Sequence, residues 1–281
     1  MFAIFKRELR AGFKPMVFWA LGVFVLVASS FWKYGGLAAA SDATNAITSV
    51  MPHVVQVMFG MTLPVNTPQG YFVCICLWTG IAVFLHAALL GASIIGKEEQ
   101  GNTADFLLVR PLSRAKVVAA KSLAGALQVI IVNAAVWAGV LVFFIPMLEN
   151  DASVAASIPA GAAALGGAID IHIGIYLSLL GMLLSQIVFL VLGMLCAVIA
   201  RRADRTALYA ALVVLAAYAI YCGVAESGRV DVLGVLSPFW YFSADRVMAV
   251  GLGLPYLVIS GVVIVVGMVA SITLYRHRDI S

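Results

Sequence analysis

Apolar residues run along this chain in six long blocks divided by polar breaks: 15–32, 72–95, 123–145, 173–199, 206–225 and 256–274. Each block is close to the ~20 residues that carry a helix across a ~30 Å hydrocarbon core. Lipid offers no partner to a free backbone N–H or C=O, so each block predicts a membrane-spanning helix. Ahead of the first block the pattern changes. Phe2, Phe5, Leu9 and Phe13 recur at intervals of three and four, while Lys6, Arg7, Arg10 and Lys14 fill the other face. That spacing predicts an interfacial amphipathic helix over 1–14, with apolar side chains toward acyl chains and cations toward headgroups. Pro15 is expected to bend the chain into the first span.

Two other apolar stretches are too short or too interrupted to cross. One is 47–63, with Met51, Pro52, Met58 and Met61; the other is 232–254, with Pro238, Phe239, Trp240, Tyr241 and Phe242 followed by Gly251 and Gly253. Such stretches predict interfacial or re-entrant broken helices, the second lying just before the last span. The Ala- and Gly-rich stretch 152–168 is weakly hydrophobic and reads as a loop, because a crossing there would carry Arg201, Arg202 and Arg205 to the opposite side. Ala38-Ala39-Ala40 mimics a cleavage site, but the long apolar run before it reads as a retained span. The expected fold is a single all-α polytopic membrane domain over 1–281. It has six transmembrane helices, an N-terminal interfacial helix and a broken or re-entrant outer segment before the last span.

Composition agrees. Hydrophobic residues make up 63% of the chain and charged residues 11%, against roughly a quarter charged in soluble domains. That leaves no room for a sizeable soluble domain. Charge then orients the chain. Fourteen of the 17 Lys and Arg, but only six of the 13 Asp and Glu, fall on the side that holds both termini, giving +8 there. The other side holds three basic and seven acidic residues, giving −4. Basic loops stay in the cytoplasm, so both termini are expected inside a cell membrane. The basic face suits anionic lipid headgroups, and nucleic acid is not implied.

Candidate chemistry is sparse. Cys74, Cys76, Cys196 and Cys222 fall within the spans, where a thiol packs as a small hydrophobe, and no pair has zinc-type spacing. Gly91-Ala92-Ser93-Ile94-Ile95-Gly96-Lys97 matches the phosphate-binding pattern G-x-x-x-x-G-K, but Glu98 replaces the required Ser or Thr and no strand precedes it. No catalytic constellation, cofactor site or metal site is expected. The polar residues inside the spans are His86, Gln128, Asn133 and Gln186. They are candidate pathway groups, although interhelical hydrogen bonds worth ~1 kcal/mol are the ordinary use of such residues. Gly174, Ser178, Gly181 and Ser185 form a small-residue seam on the fourth span, suited to close packing within the subunit or against a second copy.

The richest segment is the polar island 97–121. It carries Lys97, Glu98, Glu99, Asp105, Arg110, Arg114, Lys116 and Lys121. The second span is expected to run out through Glu98-Glu99-Gln100 and to stop at Gly101. Asn102 or Thr103 caps a short helix that Pro111 ends, and Ser113 caps the next helix from Arg114. The short helix presents Phe106, Leu107 and Leu108 beside Asp105 and Arg110. A solvated loop has no use for three consecutive large apolar residues, so they need lipid or a partner groove.

The string Glu98-Glu99-x-Gly101-x-Thr103-x-x-x-Leu107-Leu108-x-x-Pro111-Leu112-Ser113-Arg114, with Lys121 seven residues on, resembles the cytoplasmic loop of ABC-2 type permeases. These are six-span membrane subunits of ATP-binding cassette exporters. The basic start, the broken outer segment and the terminal Tyr275-Arg276-His277-Arg278-Asp279-Ile280 extend the likeness over the whole chain. The resemblance implies that 97–121 is a coupling loop seated in a cleft of a separate cytoplasmic ATPase, which binds the ATP and magnesium. It also implies a dimer with a second permease copy or paralogue. Glu98, Glu99, Gly101, Thr103, Phe106, Leu107, Leu108, Arg110, Pro111, Ser113 and Arg114 are then the coupling residues. Two alternatives stay open: an ion-coupled carrier using His86, and an ABC assembly that passes force to an outer protein.

Overall fold

A computed structural model describes residues 2–100, 114–150, 170–200, 203–227 and 231–277. Among them every regular element is helical. α1 (Phe2–Trp32) leads into three short helices, α2 (Tyr34–Ala39), α3 (Ser41–Val50) and α4 (His53–Phe59). α5 (Pro68–Gln100) and α6 (Arg114–Gly139) flank the polar island, and α6 continues through a π-helical segment, Val140–Phe144, into α7 (Ile145–Asn150). Then follow α8 (Ile171–Ile199), α9 (Thr206–Ser227), the short α10 (Asp231–Gly234), α11 (Pro238–Tyr241) and α12 (Ala244–Val250), and finally α13 (Leu254–His277). Six helical stretches are long and apolar enough to cross a membrane: Phe2–Ala39, Pro68–Gly96, Ala115–Glu149, Ile171–Ile199, Thr206–Ser227 and Leu254–Tyr275. They coincide with the six expected blocks.

The N-terminus departs from expectation. α1 is one helix with Pro15 inside it, not an interfacial helix joined to a span by a bend. Its buried face is Ile4, Glu8, Gly12, Met16, Val23, Val27 and Phe31, while Phe2 and Phe13 are 75% and 58% exposed. The buried stripe lies along α6. A Cβ on Gly12 would fall 2.4 Å from Gln128 Oε1, and one on Gly139 would fall 2.8 Å from Val27. Packing on both sides of Pro15 holds the helix continuous despite the hydrogen bond that proline removes. The Phe-bearing face stays open on the bundle's outside.

Proline explains the π segment as well. Pro146 has no N–H to give Val142, and its ring crowds that carbonyl, so the turn over Val140–Phe144 widens. Phe144 stacks there on Phe31 (4.6 Å) and Phe72 (5.0 Å), joining α1, α5 and the third span near their outer ends.

α8 is the central helix, and Asp170 caps it by accepting from the N–H groups of His172 and Ile173. It crosses α5 backbone to backbone. A Cβ on Gly91 would fall 2.1 Å from the Leu190 carbonyl oxygen, and one on Gly193 would fall 2.0 Å from that of Ala88. Gly91, the first glycine of the false phosphate motif, thus serves helix packing. The small-residue seam packs within the subunit: Gly174 meets Met248, Gly181 meets Phe242, and Ser185 Oγ donates to the Pro238 carbonyl at 3.2 Å.

The outer segment before the last span is re-entrant. Phe239 at its tip lies 4.9 Å from Phe84 and 5.5 Å from Phe189, both near the middle of their spans. Ser237 Oγ donates to Ala217 O, midway along α9, at 2.7 Å. Irregular backbone at that depth survives because protein surrounds it: Ser237, Pro238, Phe239, Tyr241 and Phe242 are all buried. The other outer stretch ends α4 on Gly60, whose φ of +74° is the left-handed turn that closes the helix. Tyr218 Oη donates to Met58 O, and His53 Nδ1 lies 2.7 Å from Glu226 Oε2, so α4 is held to the outer end of α9.

Candidate functional site

The polar island begins where α5 ends and finishes in α6. α5 is described to Gln100 and α6 from Arg114. Gly101, Thr103, Phe106, Leu107, Leu108, Arg110, Pro111 and Ser113 lie outside the described residues, as do the side chains of Glu98, Glu99 and Arg114. What is described is the base on which the island stands.

That base is a clasp. Lys121, only 2% exposed, donates from Nζ to the Ile94 carbonyl at 2.8 Å and so ties α6 to α5. Around it Ile94, Ile95, Val118, Met194, Ala197, Val198 and Tyr275 form one apolar cluster drawn from α5, α6, α8 and α13. Ser122 donates to Val118 O at 2.8 Å and meets the sulfurs of Met194 and Met268. The sequence shows Lys121 as one more basic residue of the island. Its seven-residue distance from Arg114 places it two turns inside α6, the one hint that it is buried.

The four polar residues of the spans divide. Gln128 packs on Gly12, at the α1–α6 contact. His86, Asn133 and Gln186 come to one level. Phe72 faces Phe144 and Ile94 faces Gly125 across α5 and the third span, which sets His86 opposite residue 131. Phe84–Phe189, Ala88–Gly193 and Gly91–Leu190 set His86 opposite the stretch 185–191 of α8. Asn133 therefore lies within about one helical turn, ~5 Å along the axis, of His86, and Gln186 within about a turn and a half. Trp19 joins them from α1, its ring 5.1 Å from the imidazole. All three polar side chains are at most 4% exposed. His86 Nδ1, Asn133 Nδ2 and both Gln186 amide atoms have no hydrogen-bond partner among the described residues. Unpaired polar atoms cost ~1–3 kcal/mol each when buried, so this layer is held against a penalty.

Asp245 corrects the charge reading in one detail. It belongs to the re-entrant segment and lines a cavity between spans with Ser178 and Tyr221, where sequence placed it among the outer-loop acids.

No curated protein matches the chain. A model of one family, described as ABC-2 family transporter protein, matches residues 2–280. Its extent takes in all six spans, the island and the re-entrant segment. The fold is that of an all-helical, multi-pass membrane protein, and the chain belongs to the ABC-2 family of transporters as its membrane subunit.

Proposed function

We propose that this subunit is the permease of an ATP-driven exporter in the cell membrane, with both termini cytoplasmic. A separate ATPase subunit, carrying the ATP and magnesium, docks on 97–121. A second permease copy or paralogue completes the assembly. The observation that carries this reading is the Lys121–Ile94 clasp. An island swinging on two independent helices would dissipate a push, whereas helices joined at its base deliver displacement into the bundle. Phe106, Leu107 and Leu108 supply the apolar contact with the ATPase, and Gly101 and Pro111 bound the short helix. Glu98, Glu99, Arg110 and Arg114 frame it with charge, while Thr103 and Ser113 cap its borders. His86, Asn133 and Gln186, with Gln128 nearer the island, line the route that opens when the helices move.

The test replaces Leu107 and Leu108 with Asp. The expected result is loss of ATPase co-purification, or retained binding with ATPase activity no longer changed by the permease. Unchanged co-purification and unchanged activity would remove the coupling assignment.

A further inference from the structure

We infer that the cavity beneath the re-entrant segment binds one small monovalent metal cation. The cavity lies between α5, α8, α9 and the α11–α12 turn and has a volume of about 40 Å³. A water needs ~10–15 Å³ on this measure, so the space admits a bare ion with a water or two and nothing larger. Its polar lining is Ser178, Ser185, Tyr221, Ser243 and Asp245; the remaining walls include Phe84 and Phe239.

The hydrogens of this lining decide the ligand. Ser178 Oγ gives its proton to Gly174 O at 2.8 Å, and Ser185 Oγ gives its proton to Pro238 O at 3.2 Å. Both hydroxyls then have only lone pairs left to offer. Ser243 Oγ and Asp245 Oδ1 are buried with no hydrogen-bond partner among the described residues. The adjacent cation, Arg246, has its guanidinium 4.5 Å over the Trp240 ring and 5.0 Å over that of Tyr256, and donates to Tyr256 Oη. The cavity therefore presents oxygen lone pairs around one carboxylate, with the Ser243 and Tyr221 hydroxyls able to turn their protons away from a bound cation, at a depth where an ionisable group is expensive. An anion would meet the Asp245 charge. One positive charge cancels the Asp245 carboxylate, whereas a divalent ion would leave a surplus against aromatic walls. Magnesium also keeps several waters in an octahedral shell, which this volume excludes.

A cation seated there bridges α8, through Ser178 and Ser185, to the re-entrant segment, through Ser243 and Asp245. It pins the tip of the segment where Phe239 enters the bundle.

The experiment is thermal unfolding of the purified full chain in detergent at pH 8, in sodium, potassium or choline chloride at equal ionic strength. Sodium or potassium should raise the midpoint saturably by about 2–6 °C over choline, as binding to the folded state alone requires. Asp245→Asn should abolish the increment. Ser243→Ala should raise the half-saturating concentration and serves as the readout if the Asn variant does not fold. Equal midpoints in all three salts for the native protein overturn the proposal, as does an increment that both variants leave unchanged.

Discussion

Gln186 is wholly buried, and neither end of its amide has a hydrogen-bond partner among the described residues. An isosteric leucine would keep the volume and remove two unsatisfied groups. Gln186→Leu should therefore raise stability by about 1–3 kcal/mol and, if Gln186 serves the pathway, reduce transport at the same time. Thermal unfolding in detergent alongside a transport or resistance assay reads both quantities. A lower midpoint would mean that the amide is satisfied in the folded protein, by water or by a neighbouring helix. Stability gained with function lost marks a residue kept for work. His86 and Asn133, at the same level, fall under the same logic with one unpaired atom each.

Helices add what residues cannot show. α8 and the last span have the same mean hydropathy, 2.6, yet 61% of the first and 17% of the second is buried. In lipid both environments are apolar, so hydropathy cannot rank them; small residues can, because they let backbones approach. Gly193 tests this. Its Cβ position lies 2.0 Å from the Ala88 carbonyl oxygen, which is backbone and cannot yield. Gly193→Leu should force α5 and α8 apart at a cost of about 1–3 kcal/mol or more, seen as a lowered unfolding midpoint or loss of monodisperse protein. Gly223→Ala on α9, with nothing within 4 Å, should be neutral or stabilising by about 0.5–1 kcal/mol. The same contrast explains what was legible. Span limits follow from hydrocarbon thickness, so periodicity finds them. The straight path through Pro15, the widened turn before Pro146 and the burial of Lys121 depend on what lies across the helix. No local pattern carries that. Pro238 and the aromatics after it announce a broken segment, but its depth is set by the contacts of Phe239 with Phe84 and Phe189, both distant in sequence.

At the scale of the whole molecule the sequence predicts an electrically polar chain, basic on the side of the termini and acidic on the other, with Asp245 withdrawn from the acidic side into the bundle. The structure gives that asymmetry a mechanical counterpart. The basic end is closed by the Lys121 clasp and its apolar cluster. The acidic end is capped by α2–α4 and by the re-entrant segment, held through Tyr34 to Asn66 and Tyr71 to Ser30. The proposed function requires those ends to face opposite compartments, with the basic one inside. Ala40, exposed between α2 and α3, reports on this. In a chain whose four cysteines are replaced by alanine, Ala40→Cys should react with a membrane-impermeant maleimide in intact cells. A fluorescent protein fused after Ser281 should be bright, as one folded in the cytoplasm is. Labelling of Cys at position 40 only after permeabilisation would invert the molecule. The basic island would then face away from any cytoplasmic ATPase, and the force-transfer reading would lose its source of force.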